Sequence, residues 1–191
     1  AYNQKSAEHI REDEAKTDHY EDIIGSYLVK LSARKIGESD SALAAEYLRI
    51  IGDFERIADH SVNILESAEE MQQKGIAFSA AALQEYATMA GAVREVTALA
   101  YDSFVSGDVQ AARQVEPLEQ VIDDLKEEMR TRHIRRMQQG SCGIEAGFIW
   151  SDLLTNLERV SDHCSNIACC MIEGADHNLH RHEVLQSIRG S

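Results

Sequence analysis

Proline occurs once, at Pro117, and Phe, Trp and Tyr together make up 6% of the chain. Strand-rich sandwiches and barrels draw on aromatic and turn-forming residues, so this scarcity argues against them and for long helices. Long hydrophobic runs are missing too. None approaches the ~20 residues needed to span a bilayer, and no signal peptide is visible. Positive charge is in short supply: Lys and Arg number 19 against 33 Asp and Glu, giving a formal charge of −14. Such a surface repels phosphate backbones and anionic lipid, which argues against nucleic-acid and membrane-surface binding. It also argues against metal-free capture of phosphate. Cations are the natural partners.

Other signatures are absent. The four cysteines, Cys142, Cys164, Cys169 and Cys170, form no CxxC pair, which removes zinc-ribbon and thioredoxin readings. They read as buried, reduced thiols, since free cysteine behaves as a small hydrophobe. No histidine has a glutamate three residues before it, as a ferritin-like di-iron site requires. HExxH and Gly-rich phosphate loops are missing, and nothing resembles a nucleophile with its base. No catalysis is expected. The chain opens on Ala1 without an initiator Met, as a soluble piece of something larger would.

What the sequence does contain is regular punctuation. Gly-bearing breaks at "KIGESDS", "KGIAFSA", "SFVSGDV", "QGSCGI" and "EGADHN" separate long polar-apolar stretches. These predict helices near 6–36, 40–74, 79–106, 116–139 and 144–173, with a short one near 108–115. Ser39 or Asp40 and then Ser79 are the expected N-caps. Residues 174–191 would begin one more helix without completing it. Ile50, Ile57 and Ile64 recur every seven positions with Phe54 and Ser61 between them. Leu153, Val160 and Ile167 do the same with Leu157 and Cys164. That is the seam of an antiparallel bundle.

The same words are written twice. "ERIADHSVNI" (55–64) and "ERVSDHCSNI" (158–167) share six of ten letters at an offset of 103. "DEAKTDHYEDII" (13–24) aligns with "LEQVIDDLKEEM" (118–129) at an offset of 105. The chain is therefore two related helical units. Each carries Glu-x-x-x-Asp on its first helix (Glu14 and Asp18; Glu119 and Asp123) and again on its second (Glu55 and Asp59; Glu158 and Asp162). Residues four apart share a helical face, where two carboxylates repel.

One such pair among 33 acids is chance and a solvated surface. Four pairs at matching places, with Arg56, His60 and Asn63 repeated as Arg159, His163 and Asn166, point instead to a multi-carboxylate metal site in each unit. Carboxylate oxygens suit Mg²⁺, Ca²⁺, Mn²⁺ or oxidised iron. His60 and His163 would add a nitrogen ligand or support the acids, and Arg56 and Arg159 would orient carboxylates through ion pairs. "DHNLHRHE" (176–183) clusters His177, His180 and His182, more readily a polar tail than a metal site.

The doubled "ER[IV]xDH" with its upstream ExxxD partners resembles the PhoU family of phosphate-uptake regulators. The resemblance implies an all-α domain over 1–191, with repeat A at 6–106 and repeat B at 108–191. Each would be an antiparallel unit of up to three helices, the last one truncated. It implies multinuclear iron or zinc bound by Glu14, Asp18, Glu55 and Asp59 in the first unit and Glu119, Asp123, Glu158 and Asp162 in the second, with phosphate reaching the site through metal. "REDEAKTDHYEDIIGSYLVKLSAR" (11–34) and "IIGDFERIADHSVNI" (50–64) are similar to the cytoplasmic PhoU-like domain of sodium-dependent phosphate cotransporters. That implies a transmembrane cotransporter domain in the same chain, a place on the cytoplasmic side of the membrane as part of an integral membrane protein, and a homodimer as a further partner state. A free-standing PhoU regulator and a metal-free helical interaction module are the alternatives.

Overall fold

Among the described residues the chain forms six helices. The computed structural model describes residues 2–34 and 36–189, the side chains of 177–189 excepted. The helices are α1 (Gln4–Ser32), α2 (Glu38–Lys74), α3 (Ala80–Ser106), α4 (Val109–Ala112), α5 (Val115–Gln138) and α6 (Ile144–Arg189). Ser79 caps α3 by accepting a hydrogen bond from the Ala82 amide. Gly75 and Gly107 end α2 and α3 in the left-handed region, at φ 63° and 67°, where a side chain would be strained. The start of α2 differs from expectation: Gly37, not Ser39 or Asp40, is its N-cap. No helix among the described residues is long and apolar enough to cross a membrane.

One expected boundary does not exist. "EGADHN" ends nothing, because α6 runs through Gly174 as a single helix of 46 residues. The separate sixth helix expected after Gly174 is therefore not formed. The reason is tertiary. A Cβ at Gly174 would lie 2.5 Å from the Glu46 carboxylate, so this glycine marks a close approach of α2 to α6. The clustered His177, His180 and His182 have side chains outside the described residues.

The helices pack as two pairs and a cover. α1 lies on α2, α5 lies on α6, and α2 lies along α6 between the pairs. Although α3 follows the first pair in sequence, it packs on α6 and α5. The core accordingly sits under α3, in Met89, Val96, Ile122, Trp150, Cys164 and Ile167. Arg136 of α5 forks onto the buried Glu85 of α3 through two bonds of 2.9 and 2.8 Å, fastening that cover at one end. Cys164 and Cys170 are buried as expected, whereas Cys169 is exposed and Cys142 half-buried. Burial raises the Cys164 thiol to about 11, so it is an inert apolar filler.

Candidate metal centre

In the second unit three of the four predicted acids meet. Glu119 and Asp123 stand one turn apart on α5, and Asp162 faces them from α6. One carboxylate oxygen from each lies within 4.8 Å of the others. Glu158, one turn before Asp162, accepts an ion pair from Lys126 Nζ at 2.9 Å through Oε1. Its Oε2 is buried without a hydrogen-bond partner, as is Asp123 Oδ1. Arg159 pairs with Asp162 at 3.2 Å and lies 3.9 Å from Glu158, the orienting role its position suggests.

The electrostatics follow from the geometry. Burial first, and then the neighbouring charges of Asp123 and Asp162, push the Glu119 carboxyl above its ordinary range. Burial and Glu158 do the same to Asp162, with Arg159 and Lys126 pulling partly the other way. Like charges brought together out of water hold their protons more tightly.

The first unit is looser. Glu14 and Glu55 are half-buried, while Asp18 and Asp59 are exposed. Glu55 is raised by burial, by the charge of Asp59 and a hydrogen bond shared with it, and by Glu21, against a smaller pull from Arg56. Among the described residues, three-way convergence like that at Glu119, Asp123 and Asp162 does not occur here. Arg56 is exposed, as is Asn63.

The repeated histidines face each other across the contact between α2 and α6. His60 and His163 stack with ring centroids 5.6 Å apart. His163 Nδ1 donates to Asp53 Oδ1 at 2.8 Å, and His60 Nδ1 donates to Asn156 Oδ1 at 2.8 Å. Asn166 adds a bond to Asp53 at 3.3 Å. Asp53 and Asn156 are matched by the offset of 103, so the two crossings repeat each other with a carboxylate changed to an amide. Each repeated "DH" thus sends its histidine to the opposite unit. Sequence reasoning missed Asp53, Asn156, Glu21 and Lys126. The two offsets were the signal available for all four, since they pair Asp53 with Asn156 and Glu21 with Lys126.

Oxygen-only donors, brought together with unpartnered buried oxygens, fit a hard cation better than solvent alone. The acids converge more closely in the second unit.

A duplicated all-helical bundle with acidic pairs on the helices of each unit is the class these features define. The PhoU domain model matches residues 1–68 and 86–171. The chain belongs to the PhoU family. It is 31% identical over 120 residues to the phosphate-specific transport system accessory protein PhoU homolog 1 of Thermotoga maritima, covering 63% of this chain and 51% of that protein. It is 26% identical over 132 residues to the corresponding PhoU homolog of Deinococcus radiodurans, covering 68% and 59%. The chain thus matches between half and three-fifths of the length of these curated relatives. Crystal structures of PhoU from Pseudomonas aeruginosa and of the regulatory protein PhoU from Streptococcus pneumoniae share the fold. Their TM-scores are 0.82 and 0.76, at 23% and 18% identity; each covers 90% of this chain, which matches 81% and 79% of theirs.

Proposed function

We propose that this chain regulates phosphate transport and that cations in its carboxylate clefts are part of how it does so. The transport role is supported by the relatives, which are named as accessory proteins of a phosphate-specific transport system. That naming favours an accessory protein acting on a separate transporter over a domain attached to a sodium/phosphate cotransporter. The cotransporter form rests on the resemblance of 11–34 and 50–64, and the gene's upstream reading frame decides between them. The partner proposed in either case is a phosphate transporter, and the proposed site of action is the cytoplasmic side of the membrane.

The single observation that carries the cation is the convergence of Glu119, Asp123 and Asp162, with Asp123 Oδ1 and Glu158 Oε2 buried without hydrogen-bond partners. Glu119, Asp123, Glu158 and Asp162 would hold it in one unit, and Glu14, Asp18, Glu55 and Asp59 in the other. All-oxygen donor sets suit Mg²⁺, Ca²⁺, Mn²⁺ or ferric iron, with zinc less suited. A bound cation supplies positive charge that phosphate can approach on a surface otherwise repelling it. The residues of the chain do the rest: they bridge the two helices of a pair, so that loading stiffens the pair.

Elemental analysis and melting of the wild type against Glu158→Ala/Asp162→Ala and Glu55→Ala/Asp59→Ala test the metal. Each double variant is expected to lose part of the metal content and part of the metal-dependent rise in Tm. If both retain full metal content, the sites are misassigned. Phosphate uptake by cells lacking the gene, complemented with the same variants, tests the regulatory role.

A further inference from the structure

The duplication makes the two clefts comparable position by position, and at one position they carry opposite charge. The offset of 105 that pairs Glu14 with Glu119 also pairs Glu21 of α1 with Lys126 of α5. Lys126 Nζ sits 2.9 Å from Glu158 Oε1, with side-chain exposures of only 23% and 12%. Its ammonium is therefore paired with one of the four carboxylates read as ligands. In the first unit the matched Glu21 is half-buried on α1, its carboxylate beside Gly25 where α1 meets Leu48 and Ile51 of α2. Five matched positions thus hold five carboxylates in the first cleft, but four carboxylates and one ammonium in the second. The formal charges are −5 and −3.

We propose that Lys126 is a built-in counter-ion that makes the second cleft the weaker, readily exchanged metal site, while Glu21 is an added acid that makes the first the tighter, resident one. The proposal rests on the metal-binding reading above. Cation affinity at oxygen sites follows the number of ligand charges. A cation entering the second cleft must displace Lys126 from Glu158 or do without that carboxylate. Lysine suits such a role, because its flexible stem lets the hydrated ammonium swing back to solvent. The geometry of the acids agrees. Those of the second cleft lie close together with an ammonium beside them, as partly neutralised charges can. Those of the first include two, Asp18 and Asp59, that are exposed. The second cleft would then report changes in cation supply, while the first remains loaded.

Manganese(II) alone, titrated into the metal-stripped full chain and followed by calorimetry with elemental analysis of the product, tests this. Two classes of site are expected in the wild type. Glu158→Ala/Asp162→Ala should remove the weaker class and Glu55→Ala/Asp59→Ala the tighter one. Lys126→Glu should tighten the weaker class by roughly 10- to 100-fold, the scale on which groups contacting metal ligands act. Lys126→Met, which removes the ammonium without adding an acid, should give a smaller tightening. Glu21→Lys should weaken the tighter class. Helical circular dichroism of each metal-free variant separates folding defects from binding defects. Equal classes in the wild type, a reversed assignment, or a weaker class that both Lys126 variants leave unchanged would overturn the proposal while leaving metal binding intact. Manganese uptake that ignores both double variants, or no uptake at all, overturns the metal reading and this proposal with it.

Discussion

Unit for unit, α1–α2 and α5–α6 carry the same acids at the same spacing, yet they are not buried alike. Leu157, Val160 and Ile167 on α6 are 5%, 5% and 0% exposed. Their matches on α2, Phe54, Ile57 and Ile64, are only half-buried. On the first helix of each pair the contrast repeats: Met129 is buried, whereas the matched Ile24 is 40% exposed. The cause is a single element. α3 covers α5 and α6 and, among the described residues, has no counterpart over α1 and α2, beside which an apolar groove of about 630 Å³ runs between α2, α3 and α6. Duplication copied the sequence pattern, and packing then made one copy a core and the other a margin.

The largest test of that contrast uses the same residue at matched places. Ile167→Ala should cost about 2–5 kcal/mol, as expected for a fully buried isoleucine. Ile64→Ala should cost less than half as much, because its surroundings already admit solvent. Urea unfolding of both variants measures this, and equal costs would mean that the first unit is covered as well as the second.

Next in size is the histidine crossing. Asp53→Ala leaves the buried His163 Nδ1 without its acceptor, which should cost about 1–3 kcal/mol. Asn156→Ala should cost less, since His60 and Asn156 are half-buried and water can replace the lost acceptor. Asp53→Asn, which makes the two crossings alike, should recover most of the loss. If Asn156→Ala proves the costlier change, the carboxylate is not what distinguishes the crossings.

These contrasts show which parts of the molecule could be read from sequence. Helix ends set by Ser79, Gly75 and Gly107 were legible because caps act within a few residues of themselves. The seam of Leu153, Val160 and Ile167 was legible because burial under a neighbour has the period of the helix. Gly174 misled, since the Glu46 that approaches it lies on a different helix. The placement of α3 was illegible for the same reason, and so was the exposure of Cys169. Of the four acids in the second unit, Glu119, Asp123 and Asp162 converge, and Glu158 is not among them. What spacing could not reveal is that Lys126 joins Glu158, because that requires knowing how α5 lies on α6.

Glycines inside helices give a smaller contrast. A Cβ at Gly52 would meet nothing within 4 Å, whereas at Gly147 it would lie 3.0 Å from His133 Nε2 and 3.1 Å from Met137 Sδ. Gly52→Ala should therefore stabilise by up to ~1 kcal/mol. Gly147→Ala should gain nothing or lose, because α5 must yield to admit the methyl group. Thermal melts of the two variants settle the order. A larger gain at Gly147 than at Gly52 would show that the α5–α6 contact is looser than the distances suggest.

The smallest effect is the pH dependence of the metal-free chain, since its carboxylates are half-exposed and solvent screens them. Glu119 and Asp162 in the second cleft and Glu55 in the first all sit above their ordinary values of 4.5, 3.8 and 4.5. Between the ordinary and the raised value, the folded chain holds protons that the unfolded chain has released. Stability therefore falls as pH rises through that window and is regained on acidification. Metal-free protein should melt at a higher temperature just below the raised values than at neutral pH, until the remaining acids begin to unfold it. Glu119→Gln/Asp162→Asn should remove more of this dependence than Glu55→Gln, because two groups titrate in the second cleft against one in the first. With manganese present the sign reverses, because protons must then displace a cation that stabilises the fold. A chain whose acid response is the same with and without the metal would have clefts that crowd their charges for no ligand.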